Sequence, residues 1–298
     1  QMFVAERLVS PSAPKADYQL ETTDPEESQF GMLKRLELPS ETYRNLRSRC
    51  EARGVSFMCT PFDEKSADFL EECGITTYKI PSGELTNLPL IAHIARKRRP
   101  MIVSTGMADL EEVASAVRVV RENGNPPLVL LHCVSNYPAD PAHTNLRAMH
   151  TLANEFGVPV GFSDHTSGIE VSLAAVSLGA CIVEKHFTLD RGMIGPDHLA
   201  SIEPQELSSL VRGVRIVESA LGNGQKRQAE SEAGIVAIVR KSLVAARDIP
   251  VGAVIFEDLI GTLRPGTGLS PSMKPSILGR KTNRAIAAGT LLDLEMFD

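Results

Sequence analysis

Two stretches decide the fold, VPVGFSDHTSG at residues 158–168 and ACIVEKHF at residues 180–187. Each is an apolar run of the length of a buried strand, and each presents a histidine as the run ends. His165 and His186 are separated by roughly one strand–helix–strand unit. If the two strands are parallel neighbours, both imidazoles reach the same edge of the sheet.

The same kind of run repeats along the chain upstream of these two. Earlier copies are VSFMC (55–59), TTYKI (76–80), PMIVS (100–104) and LVLLHC (128–133). Between the runs lie segments whose apolar residues recur every three to four positions, as in amphipathic helices. The alternation predicts an α/β fold, a (β/α)8 TIM-type barrel whose N-terminal strand–helix unit is missing from this sequence. A doubly wound open sheet is the structural alternative, although no GxGxxG motif follows a first strand.

The change of sequence pattern along the chain predicts two domains. Residues 1–222 form the barrel, with a polar, Pro- and Ser-rich excursion at 10–45. Residues 223–239 read as a polar linker, and residues 240–298 as a small β-rich domain in which two similar segments, 245–259 and 284–297, recur. About 60 residues are too few for a separate catalytic cleft, so we expect this domain to cover one.

Composition excludes several classes of protein. Lys and Arg total 31 against 37 Asp and Glu, a net charge of −6 with no sustained basic block, which argues against nucleic acid or an acidic membrane as partner. The five cysteines form no CxxC pair, which favours free thiols in a reducing compartment. No apolar run is long enough to span a bilayer. We expect a cytoplasmic protein.

Polar side chains collect where the predicted strands end, which is where the functional residues of a barrel lie. Two histidines with open positions can hold a divalent metal. A lysine inside the apolar run TYKIPSGE requires a partner, either a carboxylate or a bound anion, because burying it alone is costly. The candidates in chain order are Thr60, Lys79, Ser82, Glu84, Ser104, Ser135, Tyr137, Ser163, His165, Glu184, His186 and Asp197.

Taken together, the motifs resemble those of one family. KIPSGE, STGM, LHCxSxYP, GFSDHT, EKHFTLDRxxxGPDH and RPGTGL occur here in the order found in the sialic acid synthases, the phosphoenolpyruvate-dependent nonulosonate synthases. The resemblance runs to the C-terminus, where it includes an antifreeze-like (SAF) domain. It departs from the family at the start, where no EIGxNHNG-like motif precedes Gln1, and we expect the 298-residue piece alone to be unstable or inactive.

The resemblance implies an activity and a role for each candidate. Such enzymes condense phosphoenolpyruvate with an N-acyl hexosamine, such as N-acetylmannosamine or a 2,4-diacetamido sugar, and release phosphate. His165 and His186 correspond to the metal ligands, usually for Mn²⁺, with Mg²⁺ or Co²⁺ as alternatives. Phosphoenolpyruvate binding falls to Lys79, Ser82, Ser104 and Ser163, with Thr60 and Ser135 beside them.

The remaining roles concern the sugar, the water and the partner subunit. Glu84, Tyr137 and Asp197 correspond to the sugar side, and Glu184 is the candidate to position or deprotonate the attacking water. Arg264 corresponds to an arginine that the SAF domain offers to the partner's site in a domain-swapped homodimer.

Two other readings of the residues stay open at this point. Lys79 would be a Schiff-base lysine if the barrel were an aldolase. A barrel lacking its first strands would also suit a non-catalytic carbohydrate-binding protein.

Overall fold

Five parallel strands follow one another along the chain and lie side by side in that order. They belong to the N-terminal of two units in the computed structural model, which describes residues 1–298 as unit Gln1–Gly222 and unit Asn223–Asp298. The elements of the first unit are α1 (Ala5–Leu8), α2 (Asp17–Thr22), α3 (Gln29–Leu36), α4 (Ser40–Ala52), α5 (Glu64–Glu72), β1 (Tyr78–Ile80), α6 (Leu88–Arg96), β2 (Met101–Ser104), α7 (Leu110–Glu122), β3 (Leu128–Cys133), α8 (Ala148–Phe156), β4 (Val160–Asp164), α9 (Glu170–Ser177), β5 (Val183–Lys185) and α10 (Pro204–Leu221).

The strands form where the apolar runs predicted them, with one exception. The run 55–59 makes only isolated parallel bridges, from Cys59 to Tyr78 and, just beyond the run, from Pro61 to Met2. Val55 and Met58 in this run are exposed, and Pro61 has no N–H to donate to a ladder. The sequence pattern was therefore wrong about a full strand here, although the chain does pass along the edge of the sheet.

The sheet is strongly curled. Lys79 lies on β1 and Glu184 on β5, the two ends of the strand order, and strands so placed in a flat sheet would lie about 19 Å apart. Lys79 Nζ is nevertheless 3.2 Å from Glu184 Oε2. The predicted α/β barrel class is confirmed as a TIM-like half-barrel of five strands with helices packed around it.

The core of this unit lies between the sheet and the helices that connect its strands. Side chains of alternate strand positions, among them Tyr78, Ile80, Val103, Leu130 and Phe162, pack against apolar residues of α5 to α8. Local sequence sets the helix starts: in α7, Asp109 Oδ1 accepts from the Glu112 N–H at 2.9 Å, and Glu112 Oε2 accepts from the Asp109 N–H at 3.1 Å. The strand ends are thereby held in fixed positions.

The predicted excursion at 10–45 is folded. It contains α2, α3 and the first part of α4, and a buried lysine, Lys15, ties its first half together. Lys15 Nζ donates to Thr23 Oγ1 at 3.0 Å and to the Asp24 carbonyl at 2.7 Å. These internal hydrogen bonds satisfy the buried polar groups and give this polar segment a defined conformation.

The C-terminal unit is built on a small antiparallel sheet. It contains α11 (Ala233–Val239), β6 (Ser242–Ala245), β7 (Ile260–Leu263) and α12 (Lys274–Ile277), and β6 pairs with β7. The residues that we expected to be a linker, 223–239, thus include a helix. A separate apolar core, with Leu243, Ile255 and Leu292 fully buried, stabilises the unit.

No helix in the chain is both long enough and apolar enough to cross a lipid bilayer.

Candidate functional site

Lys79 is the centre of a polar cluster at the carboxyl ends of the strands. Its Nζ donates to Ser104 Oγ at 2.8 Å and to the Ile80 carbonyl at 3.1 Å. The contact with Glu184 Oε2 has ion-pair distance but lacks hydrogen-bond geometry, so this buried oxygen receives no hydrogen bond. The carboxylate that Lys79 contacts is therefore Glu184. Thr60 lies beside them, in the lining of a cavity of about 220 Å³ that Lys79 and Glu184 share.

A second part of the cluster surrounds Gly106, which follows β2. The Gly106 N–H donates to Ser82 Oγ at 2.9 Å. A Cβ at Gly106 would lie 2.3 Å from Ser135 Oγ, 2.8 Å from Ser82 Oγ and 3.2 Å from Cys133 Sγ. The hydroxyls of Ser82 and Ser135 therefore converge on one point, which only a residue without a side chain can occupy.

His165 is buried and oriented by the backbone. Its Nδ1 lies 2.8 Å from the Val134 carbonyl and 3.7 Å from Cys133 Sγ. When Nδ1 donates to that carbonyl, Nε2 is left with a free lone pair, the arrangement usual in metal-binding histidines. Although burial opposes the charged form of His165, its contact with Cys133 raises its pKa.

His186 faces His165 across the end of the sheet. The ring centres are 5.2 Å apart with the planes at 63°, and His186 Nδ1 is 3.8 Å from Asp197 Oδ2. Burial lowers the pKa of His186 despite that carboxylate, so the neutral form, the one that binds metals, is favoured.

The two histidines fit a shared divalent cation. A metal bound at about 2.1 Å by a ring nitrogen lies about 3.2 Å from the ring centre, so two rings can share a metal only when their centres are within roughly 6.4 Å. The observed 5.2 Å satisfies this limit. No group of three or more His, Cys, Asp or Glu side chains forms a complete metal cage. Two imidazoles would leave several coordination positions open, as catalytic metals require.

A buried ion pair lies next to both histidines. Asp164 precedes His165, Lys185 precedes His186, and their Oδ2 and Nζ atoms are 2.9 Å apart. Asp164 also accepts from Ser172 Oγ and from the N–H and hydroxyl of Thr166. These bonds satisfy the buried carboxylate and hold the ends of β4 and β5 together.

Aromatic rings close one side of the site. The Tyr137 ring centre is 4.2 Å from that of His165 and 5.5 Å from that of His186. On its other side is Tyr18 of α2, with ring centres 5.1 Å apart and planes at 34°. Burial raises the pKa of both tyrosines, so their hydroxyls stay protonated at neutral pH.

The structure brings most of the predicted residues together, but not all. Ser163 is buried at the end of β4, paired in register with Glu184. Glu84 lies in a 3₁₀ turn, Ser82–Glu84, where its Oε2 accepts from Asn87 Nδ2 at 2.7 Å. Arg264 is exposed at the end of β7 in the C-terminal unit and makes no hydrogen bond or ion pair within the chain. Its role stays a prediction.

Sequence reasoning missed three residues of the site. Cys133 was grouped with the free thiols, and Gly106 was noted only as part of the STGM motif. Tyr18 lies in the polar excursion at 10–45. Its aromatic side chain among Pro, Ser, Asp and Glu residues was the one feature of the sequence that could have indicated a role in the site.

Comparisons with known proteins find relatives for both parts of the chain. Residues 1–226 match the sequence model of the NeuB family, and residues 240–298 match the SAF domain. A protein of Legionella pneumophila called N,N'-diacetyllegionaminic acid synthase is 47% identical over 296 residues, covering 98% of this chain and 83% of the relative. A protein of Campylobacter jejuni with the same name is 46% identical over 282 residues, covering 94% and 84% of the two chains.

A crystal structure shares the architecture as well. It is N-acetylneuraminic acid (sialic acid) synthetase from Leptospira borgpetersenii in complex with citrate, with a TM-score of 0.67 and 34% identity. The match covers 74% of this chain and 76% of that one.

Proposed function

The chain belongs to the NeuB family and carries a SAF domain, and on this premise we propose that it condenses phosphoenolpyruvate with an N-acyl hexosamine. The products are a nine-carbon 2-keto acid of the nonulosonate type and inorganic phosphate. One observation carries the proposal: a buried ammonium, two adjacent imidazoles and a buried carboxylate oxygen that receives no hydrogen bond lie at one end of the sheet.

The phosphate side of the substrate suits Lys79 and the serines around it. Lys79 supplies the positive charge, while Ser82, Ser104, Ser135 and Ser163 supply hydroxyl donors at neighbouring strand ends. Serine hydroxyls and a lysine ammonium can together bind a tetrahedral dianion, so the planar guanidinium of an arginine is not required. Thr60 lines the cavity beside Lys79, and we assign it to the same substrate.

The bond changes follow from this placement. The terminal enol carbon of phosphoenolpyruvate attacks the aldehyde carbon of the open-chain sugar, forming the new C–C bond and turning the aldehyde oxygen into an alkoxide, which becomes a hydroxyl with the proton that Glu184 takes from water in the next step. Water adds to the carbon that bears the phosphate, and Glu184 accepts one of the water's protons through the oxygen that receives no hydrogen bond. The C–O bond to phosphate then breaks, and the keto group forms as phosphate leaves.

A divalent metal, Mn²⁺ in the first place, would be held by His165 and His186. When bound, it acts as a Lewis acid that polarises the sugar's carbonyl oxygen. Asp197 lies beside His186, where it can accept a hydrogen bond from the sugar, and Tyr137 closes the same side. Glu84 is assigned to the sugar from the family resemblance.

The sugar that we favour carries two acetamido groups. The relatives at 47% and 46% identity are both called N,N'-diacetyllegionaminic acid synthase. N-acetylmannosamine is the alternative, since the compared crystal structure is that of a sialic acid synthetase. We further propose that the enzyme works as a domain-swapped homodimer in the cytoplasm, with Arg264 reaching the partner's site.

The decisive experiment measures phosphate release from phosphoenolpyruvate and metal binding together. We expect release only when an N-acyl sugar and a divalent metal are both present. His186→Ala should reduce the rate at least about 100-fold and abolish calorimetric binding of Mn²⁺, because one of two ligands is lost.

His93→Ala is the control, since His93 pairs with Asp68 on the surface of α6. It should change neither quantity. Sugar-independent phosphate release, or full activity of His186→Ala, would contradict the proposal.

A further inference from the structure

Tyr18 reaches the site from outside the strands. It lies on α2, a helix of six residues in the segment between α1 and α3. Its ring packs on Tyr137, which in turn packs on His165. One aromatic ring therefore separates Tyr18 from the pair of histidines.

The segment that carries Tyr18 is held firmly in place. So short a helix is not stable alone. Lys15, before α2, donates to Thr23 Oγ1 after it, and Thr23 Oγ1 donates to the Gln19 carbonyl at 2.5 Å. The Ala16 N–H donates to Gln19 Oε1 at 3.0 Å. Both ends of α2 are thus fixed around a buried ammonium, and the ring of Tyr18 is placed with them.

The chemistry of this side of the site is mixed. The Tyr18 hydroxyl has one weak contact, with Gln19 Nε2 at 3.4 Å, so the ring is not held by a strong polar partner. Asp197 lies at the same end of the site, since its Oδ2 is 3.8 Å from His186 Nδ1 and the His186 ring centre is 5.5 Å from that of Tyr137. An apolar ring face beside a carboxylate suits a group with a methyl on one end and an N–H on the other.

An acetamido group has this composition. Its methyl and planar amide pack well on an aromatic face, and its N–H can donate to a carboxylate. The two candidate sugars share one acetamido group and differ in whether a second replaces a hydroxyl. A hydroxyl in that position offers no apolar surface to the ring.

We propose that Tyr18 determines sugar specificity by forming, with Tyr137, an aromatic wall that packs against a second acetamido group of the hexose. This inference rests on the proposed condensation, and it adds the residue that selects among sugars. The ring acts through its face, and its hydroxyl contributes little.

Steady-state kinetics on two sugars test the inference. For Tyr18→Ala we expect the KM of the diacetamido sugar to rise about tenfold, equivalent to about 1.4 kcal/mol, because aromatic packing and burial of the methyl are lost. The KM for N-acetylmannosamine should change by less than about threefold, and that for phosphoenolpyruvate should stay constant. Tyr18→Phe should behave like the wild type.

Leu20→Ala is the matched control, because Leu20 is exposed on the same short helix. Equal losses on both sugars, or a loss in phosphoenolpyruvate binding instead, would overturn the inference. So would a loss of the same size in Leu20→Ala.

A binding measurement separates this inference from the condensation itself. The chain has no tryptophan and four tyrosines, and Tyr43 and Tyr78 are buried in the core. Intrinsic tyrosine emission therefore reports on Tyr18 and Tyr137 when the diacetamido sugar is added. The change in emission should fall by about half in Tyr18→Phe. A wild type that binds the sugar with this signal but releases no phosphate would contradict the condensation alone, and an unchanged signal in Tyr18→Phe would contradict the role of Tyr18.

Discussion

At the scale of single residues, Gly106 shows how the absence of a side chain shapes the site. Its backbone conformation is accessible to any residue, so left-handed geometry is not the reason for glycine here. The reason is space, because three side chains converge on the position where a Cβ would be. Two of them are the hydroxyls assigned to the phosphate.

Replacing this glycine should damage the anion pocket. In Gly106→Ala the methyl would displace Ser82 and Ser135, and we expect the KM for phosphoenolpyruvate to rise about tenfold or more, since hydrogen bonds to a charged group contribute about 1.5–3 kcal/mol each. Steady-state phosphate release measures it. Gly83→Ala is the control, because a Cβ there would meet nothing within 4 Å. Similar kinetics for both variants would show that the hydroxyls do not bind the substrate.

The site residues that could be predicted from the sequence are those at the ends of parallel strands, because the topology of the sheet alone brings them together. The ends of β1 to β5 must meet at one edge, so Lys79, Ser104, Ser163 and the two histidines could be grouped before any coordinates were known. The contacts of Gly106 with Cys133 and the packing of Tyr18 on Tyr137 depend on how loops fold over that edge. No pattern of periodicity or spacing encodes such contacts.

At the scale of elements, the junction of β4 with β5 places the two imidazoles. Asp164 and Lys185 are register partners in the parallel ladder, and both side chains are almost entirely buried. Lys185 Nζ also donates to the Thr166 carbonyl at 2.7 Å. The ion pair therefore links the two strands immediately before each histidine.

Breaking the pair on one side should destabilise the protein strongly. Lys185→Met leaves a buried carboxylate without its counter-charge, and we expect the free energy of unfolding to fall by about 3–5 kcal/mol in urea denaturation. The double variant Asp164→Leu/Lys185→Met should recover part of this loss. Arg215→Met, which breaks an exposed pair with Glu218, should cost less than about 1 kcal/mol. If Lys185→Met lowers the free energy of unfolding no more than Arg215→Met does, the buried ion pair has no structural role.

Helices were predicted more accurately than the first strand. In segments such as 64–73 and 110–123 the apolar residues recur with helical spacing, and a capping residue, Asp63 or Asp109, precedes the first turn. The local sequence therefore determines where these helices begin. The run 55–59 has the composition of a strand but only bridges to its neighbours, because pairing depends on what lies beside it. The stretch 10–45 was predicted only as an excursion from the barrel, because the buried Lys15 that organises its first half has no local signature in the sequence.

At the scale of the whole molecule, the two units are each complete in their own core, and Arg264 belongs to the smaller one. Its guanidinium is exposed and has no acidic partner in the chain, so it is available to a ligand or another subunit. Arg247, in the same unit, is engaged with Asp258.

We expect Arg264→Ala to raise the KM of the sugar about tenfold, since a lost charged hydrogen bond is of that size, while phosphoenolpyruvate binding changes little. Kinetics with each substrate varied in turn measure this, with Arg247→Ala as the control. Equal effects on both substrates would remove Arg264 from the sugar side.

Coexpression tests whether the arginine acts on the partner. If it does, hybrids of Arg264→Ala with His186→Ala contain one intact site each and should regain about a quarter of wild-type activity in a random mixture. With the sugar well below its KM, a mixture that stays at the mean activity of the two variants would place Arg264 and His186 in the same subunit's site or in none.

The contact between the first and last strands also sets an order of events. Lys79 holds Glu184 across the opening of the arc, so an arriving anion competes with that carboxylate for the same ammonium. In the proposed condensation, the dianion would take over the charge of Lys79 and release the carboxylate toward the cavity as a proton acceptor. Curvature of the sheet would then couple the two events, because Glu184 would become free to deprotonate water only after the reactant that the water attacks has bound.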